Sequence, residues 1–175
     1  PASGAWGLTH EKIADISTTT FSVAENATAM TTSGALAANE TVTWSLGSGA
    51  DTALFSLSGN TLSLLTAKNY EVDETTDHAY TLNVIATDAV GNATTQVVTV
   101  NLTNVNEAPT ASGTVTAQTA VNGQAYNFDV HTYFADPDTT APNNTLTYSA
   151  TGLPTGVTIN ASTGVISRSE ERRVG

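Results

Sequence analysis

Four short stretches of this chain gather oxygen-bearing side chains: Glu25-Asn26, Asn69-Tyr70-Glu71, Asn104-Val105-Asn106-Glu107 and Asp136-Pro137-Asp138. Carboxylates and amide carbonyls are hard donors, and a Ca2+ ion takes six to eight such oxygens. A site of that kind can be assembled from loops at the end of one domain, a linker, and the facing end of the next. Each stretch also has a plainer reading. Asp136-Pro137-Asp138 suits an ordinary turn. Asp73, Glu74 and Asp77, close to Glu71, read as a solvated loop.

Other chemistries find little support. The chain has no cysteine, which excludes disulfides, thiolate nucleophiles and cysteine-type zinc sites. Its three histidines, His10, His78 and His131, are scattered without metal-ligand spacing. No nucleophile elbow, phosphate-binding glycine loop or dinucleotide fingerprint occurs, and the chain reads as non-enzymatic. Sixteen acidic against five basic residues give a formal charge of −11, which opposes nucleic-acid binding. An acidic balance of this kind suits a cation ligand or simple solubility. No apolar run is long enough to span a membrane.

The elements that must position these groups are strands. Charged residues make up only 12% of the 175 positions, and Thr, Ala, Asn, Ser and Gly dominate, a mix suited to short strands and turns. Residues 1–17 show no period and read as a lead-in or the remnant of an upstream unit. From Thr18 onward, period-two runs follow one another: Phe21 and Val23; Val42, Trp44 and Leu46; Phe55 and Leu57; Leu62 and Leu64; Tyr80, Leu82, Val84 and Ala86; Val98, Val100 and Leu102. Trp44 and Phe55 fall at core-like positions. This spacing predicts an all-β sandwich of about seven strands over 18–108.

A second unit is expected over 109–167, with alternation at Tyr126, Phe128 and Val130, at Leu146 and Tyr148, and at Val157 and Ile159. It is too short for a whole sandwich and reads as incomplete. The last stretch, 168–175 (RSEERRVG), breaks the composition and resembles the translation of a sequencing-adapter read-through. Setting it aside leaves 14 acidic and 2 basic residues.

The order of these motifs resembles a family. "AEN" (24–26), "NYE" (69–71), "ATDAVGN" (86–92) and "NVNEAP" (104–109) are similar, in that order, to the segments of a bacterial cadherin-like repeat. "YFADPD" followed by "LTYSATGLPTGVTINASTGVIS", within 133–167, resembles dystroglycan-type cadherin-like or immunoglobulin-like repeats of bacterial surface proteins.

The resemblance implies tandem Ig-like, cadherin-like Greek-key β-sandwiches, the second incomplete. It implies Ca2+ as the cofactor, held by Glu25, Glu71, Asn104, Asn106, Glu107, Asp136 and Asp138, with Asn69 and Asp88 as weaker candidates. It implies an extracellular or cell-surface adhesin whose joint between domains is stiffened by calcium. Its partners would be neighbouring repeats of the same chain and other cell-surface proteins or glycans.

Asn69 and Asn104 stand where the family has aspartates, so charge and affinity should be lower. Residues 34–42 lack the expected Asp-x-Asp, which leaves Asp88 as the main carboxylate for an upstream joint. Two alternatives stay open: a polysaccharide-binding accessory module of a secreted enzyme, and a metal-free spacer.

Overall fold

The computed structural model describes residues 15–27, 30–73, 75–121, 123–139 and 144–169. Trp6, His10, Lys12 and Glu74 lie outside the described residues, as does the end of the unusual tail, 170–175. The chain divides into two compact units, Pro1–Val105 and Asn106–Gly175. All regular elements among the described residues are strands or single 3-10 turns.

The first unit contains β1 (Thr20–Ala24), β2 (Thr43–Leu46), β3 (Phe55–Ser58), β4 (Thr61–Leu64), β5 (Ala79–Thr87) and β6 (Ala93–Thr103). Four of them form a sheet in the order β1-β6-β5-β2. The centre of that sheet is the antiparallel β5–β6 pair, in register from Ala79 opposite Asn101 to Thr87 opposite Ala93. β1 runs parallel to β6, Ala24 facing Thr103. β2 lies antiparallel to β5 with Trp44 opposite Ala86.

The β3–β4 hairpin is a separate two-stranded sheet. Its two-residue loop puts Gly59 first, at φ +59°. A primed hairpin turn needs positive φ there, and only glycine adopts it without steric cost.

Alternation carries through to burial. Tyr80, Leu82, Val84 and Ala86 on β5 face inward, as do Val98, Val100 and Leu102 on β6 and Phe21 and Val23 on β1. Phe55, Leu62 and Leu64 of the hairpin join the same core. The Phe55 ring meets Tyr80 edge to face at 6.1 Å. Burying one such side chain stabilises by about 1.5–3 kcal/mol.

Among the described residues of this unit six strands appear where about seven were expected. The Gly/Ala/Asn-rich segment between β1 and β2 lacks β-branched alternation, and among the described residues it pairs through single bridges, Ala38 with Ile16 and Thr31 with Ser63. Ile16, read as lead-in, is buried in this core.

The second unit holds β7 (Thr110–Ala111), β8 (Tyr126–Asp129), β9 (Phe134–Ala135), β10 (Val157–Ile159) and β11 (Val165–Arg168). β7 pairs with β9, and β10-β11-β8 form a three-stranded antiparallel sheet. The Leu146/Tyr148 alternation does not produce a strand. Instead the Tyr148 N–H donates to the Ala161 carbonyl at 2.9 Å, and the buried ring lies against Gly164. A Cβ at Gly164 would sit 3.1 Å from that ring, and its φ is +71°, so packing and backbone both require glycine. Arg168, assigned to the tail by composition, pairs within β11 and donates from Nη2 to the Val121 and Gln124 carbonyls at 2.7 and 3.0 Å.

Candidate metal centre

In the first unit, strand pairing collects the acidic stretches. The parallel β1–β6 ladder continues one step beyond β1, where the Glu25 N–H donates to the Thr103 carbonyl at 3.1 Å. Glu25 therefore lies beside the residues that leave β6. Asn26, at φ +53°, turns the chain away and donates its N–H to the Lys68 carbonyl at 2.8 Å.

The Glu25 side chain is only 3% exposed. Its Oε1 accepts the Val105 N–H at 2.8 Å and its Oε2 the Tyr70 N–H at 2.7 Å. One buried carboxylate thus clamps three segments of chain. Such a group is tolerable in the interior only because donors meet it.

Glu71 is half-buried and its Oε1 accepts the Asn104 amide at 2.8 Å. A carboxylate oxygen of Glu71 lies within 4.8 Å of one of Glu25. At an effective dielectric constant of ~20, two charges at that separation repel by about 3 kcal/mol, which a shared cation would reverse. Asn69 turns inward on its own loop, its Oδ1 accepting the Val72 N–H at 3.1 Å.

In the second unit, the β7–β9 register of Thr110 with Ala135, extended three residues outward, sets Glu107 opposite Asp138. The Glu107 N–H donates to Asp138 Oδ2 at 2.8 Å. The Asp138 N–H in turn donates to Asp136 Oδ1 at 3.1 Å, the short-range bond expected of an Asx turn. The turn is only part of the picture. Asp138 is 2% exposed, and its Oδ1 is buried without a hydrogen-bond partner among the described residues. The Asn106 amide donates to the Glu107 carbonyl at 3.1 Å.

Asp88 stands apart from the other candidates. It caps the β5–β6 hairpin, at the far end of β6 from Asn104. Its Oδ1 accepts the N–H groups of Val90 and Asn92 at 2.9 and 2.8 Å, and its Oδ2 the Asn92 side chain at 2.8 Å. Loss of hydration would raise its carboxyl, but these donors outweigh that and hold it below the usual carboxylate range. Its described contacts make it a turn residue.

Asp73 departs from the solvated-loop reading, whereas Asp77 is exposed. The Asp73 side chain is 1% exposed and accepts hydrogen bonds from the Thr75 and Tyr80 hydroxyls. Burial alone would raise its carboxyl; the two hydroxyls, with Lys68 and His78 nearby, lower it below the ordinary value. Desolvation and the same carboxylate push the Tyr80 hydroxyl upward. A signal was available in the sequence: a tyrosine at an inward strand position needs a partner for its hydroxyl.

These two aspartates set an acid limit on the first unit. A carboxyl lowered by folding adds stability that is fully present above its unfolded value of about 4 and is lost as pH falls through the lower folded value. Urea denaturation across pH 2.5 to 6 should show this loss below about pH 4, and Asp88→Asn should make the dependence shallower. An unchanged slope would mean that the hairpin donors do not favour the charged form.

A family model described as Putative Ig domain matches residues 108–169. A search of curated protein sequences finds no match. Among solved structures, human protocadherin-24 EC1-2 is similar with a TM-score of 0.62 at 17% identity, covering 91% of this chain and 78% of that one. Drosophila N-cadherin EC1-4 gives a TM-score of 0.57 at 18% identity over 94% of this chain, which spans 42% of that one. The fold is the cadherin and immunoglobulin-like β-sandwich. At this identity the likeness concerns fold alone. In the cadherin-like sandwich of the first unit, Glu25, Asn69, Glu71 and Asn104 come from three loops at one end.

The residues present suit a hard cation. All the candidate donors are oxygens, which favour Ca2+ or Mg2+ over zinc or copper. Glu25 Oε1 retains acceptor capacity beyond its backbone donor, whereas Oε2 also accepts the Asn26 side-chain amide at 3.2 Å. The buried Asp138 Oδ1 is an acceptor without a donor among the described residues, which is costly unless a cation meets it.

Proposed function

We propose that the chain is a calcium-binding cell-adhesion module of a surface or secreted adhesin. Ca2+ would be held by Glu25, Glu71 and Asn104 in the first unit and by Asn106, Glu107, Asp136 and Asp138 in the second. The ion would supply positive charge, neutralising carboxylates that otherwise repel. Glu25 fixes the Tyr70 and Val105 backbone, Glu71 and Asn104 orient one another, and Asp138 holds the Glu107 backbone. The module would act outside the cell, joined to neighbouring repeats and contacting surface proteins or glycans.

The observation that carries this reading is the buried Asp138 carboxylate, one of whose oxygens has no donor among the described residues. Calorimetric titration with CaCl2 tests it, comparing the chain with Asp138→Asn. The asparagine carbonyl can still accept the Glu107 N–H, so the second unit should keep its fold. Saturable binding at a Kd on the order of 10⁻⁴–10⁻³ M, as in extracellular modules, should weaken by about tenfold or more in the variant. Stability without calcium should hold or rise, because the variant removes a buried charge that lacks full compensation. No heat at millimolar calcium would end the calcium reading.

A polysaccharide-binding module is the second reading. A cleft of about 560 Å³ in the second unit is lined by residues including His131, Phe134, Asp136, Asp138, Asn144 and Tyr148. Carboxylates beside an aromatic ring suit a sugar. Only Phe134, 40% exposed, is an exposed aromatic among the described residues, so the cleft offers one stacking surface rather than a row.

A further inference from the structure

Asp73 and Tyr80 lie outside the proposed ligand set, yet they grip the loop that carries one of its members, Glu71. The loop leaves β4 after Leu64 and returns to the sheet at Ala79. Asp73 sits two residues beyond Glu71 and four beyond Asn69. Its buried carboxylate accepts from the Tyr80 hydroxyl, which projects from the central strand β5, and from the Thr75 hydroxyl in the loop itself.

His78 closes the arrangement. Its Nδ1 is 3.7 Å from Asp73 Oδ2, and its ring stacks on Tyr70 at 3.6 Å and 16°. The Tyr70 N–H is one of the two backbone donors to Glu25. His78 is held at φ +51°, an uncommon conformation for a residue with a side chain, which persists where surrounding contacts impose it. A continuous set of contacts thus runs from Tyr80 in the rigid sheet through Asp73 and His78 to Tyr70 and Glu25.

We infer that Asp73 and Tyr80 are positioning residues for the calcium site: they fix the 69–71 loop in its ion-receiving conformation and do not touch the ion. The inference rests on the calcium reading. An anchored loop surrenders its conformational freedom on folding and not on binding, so its ligands bind more tightly than the same ligands on a free loop. A charged residue that served only as a solvated loop member would not be sealed under two hydroxyls.

The test uses the full chain with CaCl2, at a temperature where every variant is folded. Tyr80→Phe keeps the ring in the core and removes only the hydroxyl. Thr75→Ala removes the second donor, and Thr75→Ser restores it. Tyr80→Phe and Thr75→Ala should each weaken calcium binding by about 5- to 10-fold, with Thr75→Ser close to the parent. Without calcium, exchange of the Tyr70 amide should speed up by about tenfold in Tyr80→Phe, because the loop opens more often.

A purely structural role gives a different result. Tyr80→Phe would then lower the melting temperature while calcium affinity and Tyr70 exchange stayed at parental values, and that result would overturn the inference. If the parent chain itself binds no calcium, the calcium reading fails first and the positioning role falls with it. That outcome is visible before any variant is measured.

Discussion

Replacing Glu25 by alanine is expected to destabilise the first unit by about 2–4 kcal/mol even without calcium. The loss comes from two backbone N–H groups, of Tyr70 and Val105, that both depend on the one carboxylate. A buried N–H left without an acceptor costs about 1–3 kcal/mol, more than the net worth of an ordinary hydrogen bond. The same change removes a proposed ligand, so calcium should cease to raise the melting temperature. Glu25→Gln should fall between the two, because an amide offers one acceptor where the carboxylate offers two. Urea denaturation with and without calcium measures both effects. An alanine variant within ~0.5 kcal/mol of the parent, the range of ordinary surface changes, would show that the clamp contributes nothing to folding.

The other large effect lies in the sheet that carries the site. Leu82 sits on β5, flanked in the sheet by β6 and β2, and is 1% exposed. Leu82→Ala removes buried methyl groups and leaves a cavity that a four-stranded sheet cannot close without breaking pairs. The expected loss is about 3–4 kcal/mol, a large share of the ~5–15 kcal/mol typical of a small domain. Leu65→Ala is the control: that side chain is 61% exposed and its loss should stay within ~0.5 kcal/mol. Equal effects at the two positions would place the core elsewhere. Because β5 begins at Ala79, where the 65–78 loop enters it, Leu82→Ala should also loosen the 69–71 loop, which amide exchange at Tyr70 would report.

The sequence by itself determined the strand positions of the first unit. Each inward residue from Tyr80 to Ala86 and from Val98 to Leu102 is recoverable from period-two alternation, because a sheet with one buried face admits no other spacing. The chemical type of the candidate donors was equally legible, since the four acidic stretches offer carboxylate and amide oxygens. The resemblance of those stretches to cadherin-like repeats pointed to the fold that the structural comparisons then showed.

Tertiary structure decided the rest. The parallel pairing of β1 with β6 brings Glu25 to residues 80 positions later, a contact that no local pattern encodes. Local composition also misread Asp73. An aspartate in a polar loop looks solvated, and its burial is tolerable because the Tyr80 hydroxyl, from the strand that follows the loop, and the Thr75 hydroxyl both donate to it. Leu146 and Tyr148 alternate like a strand, yet Tyr148 packs on Gly164 without a ladder. Alternation reports which side chains face inward, and hydrogen-bond partners depend on segments that meet only after folding.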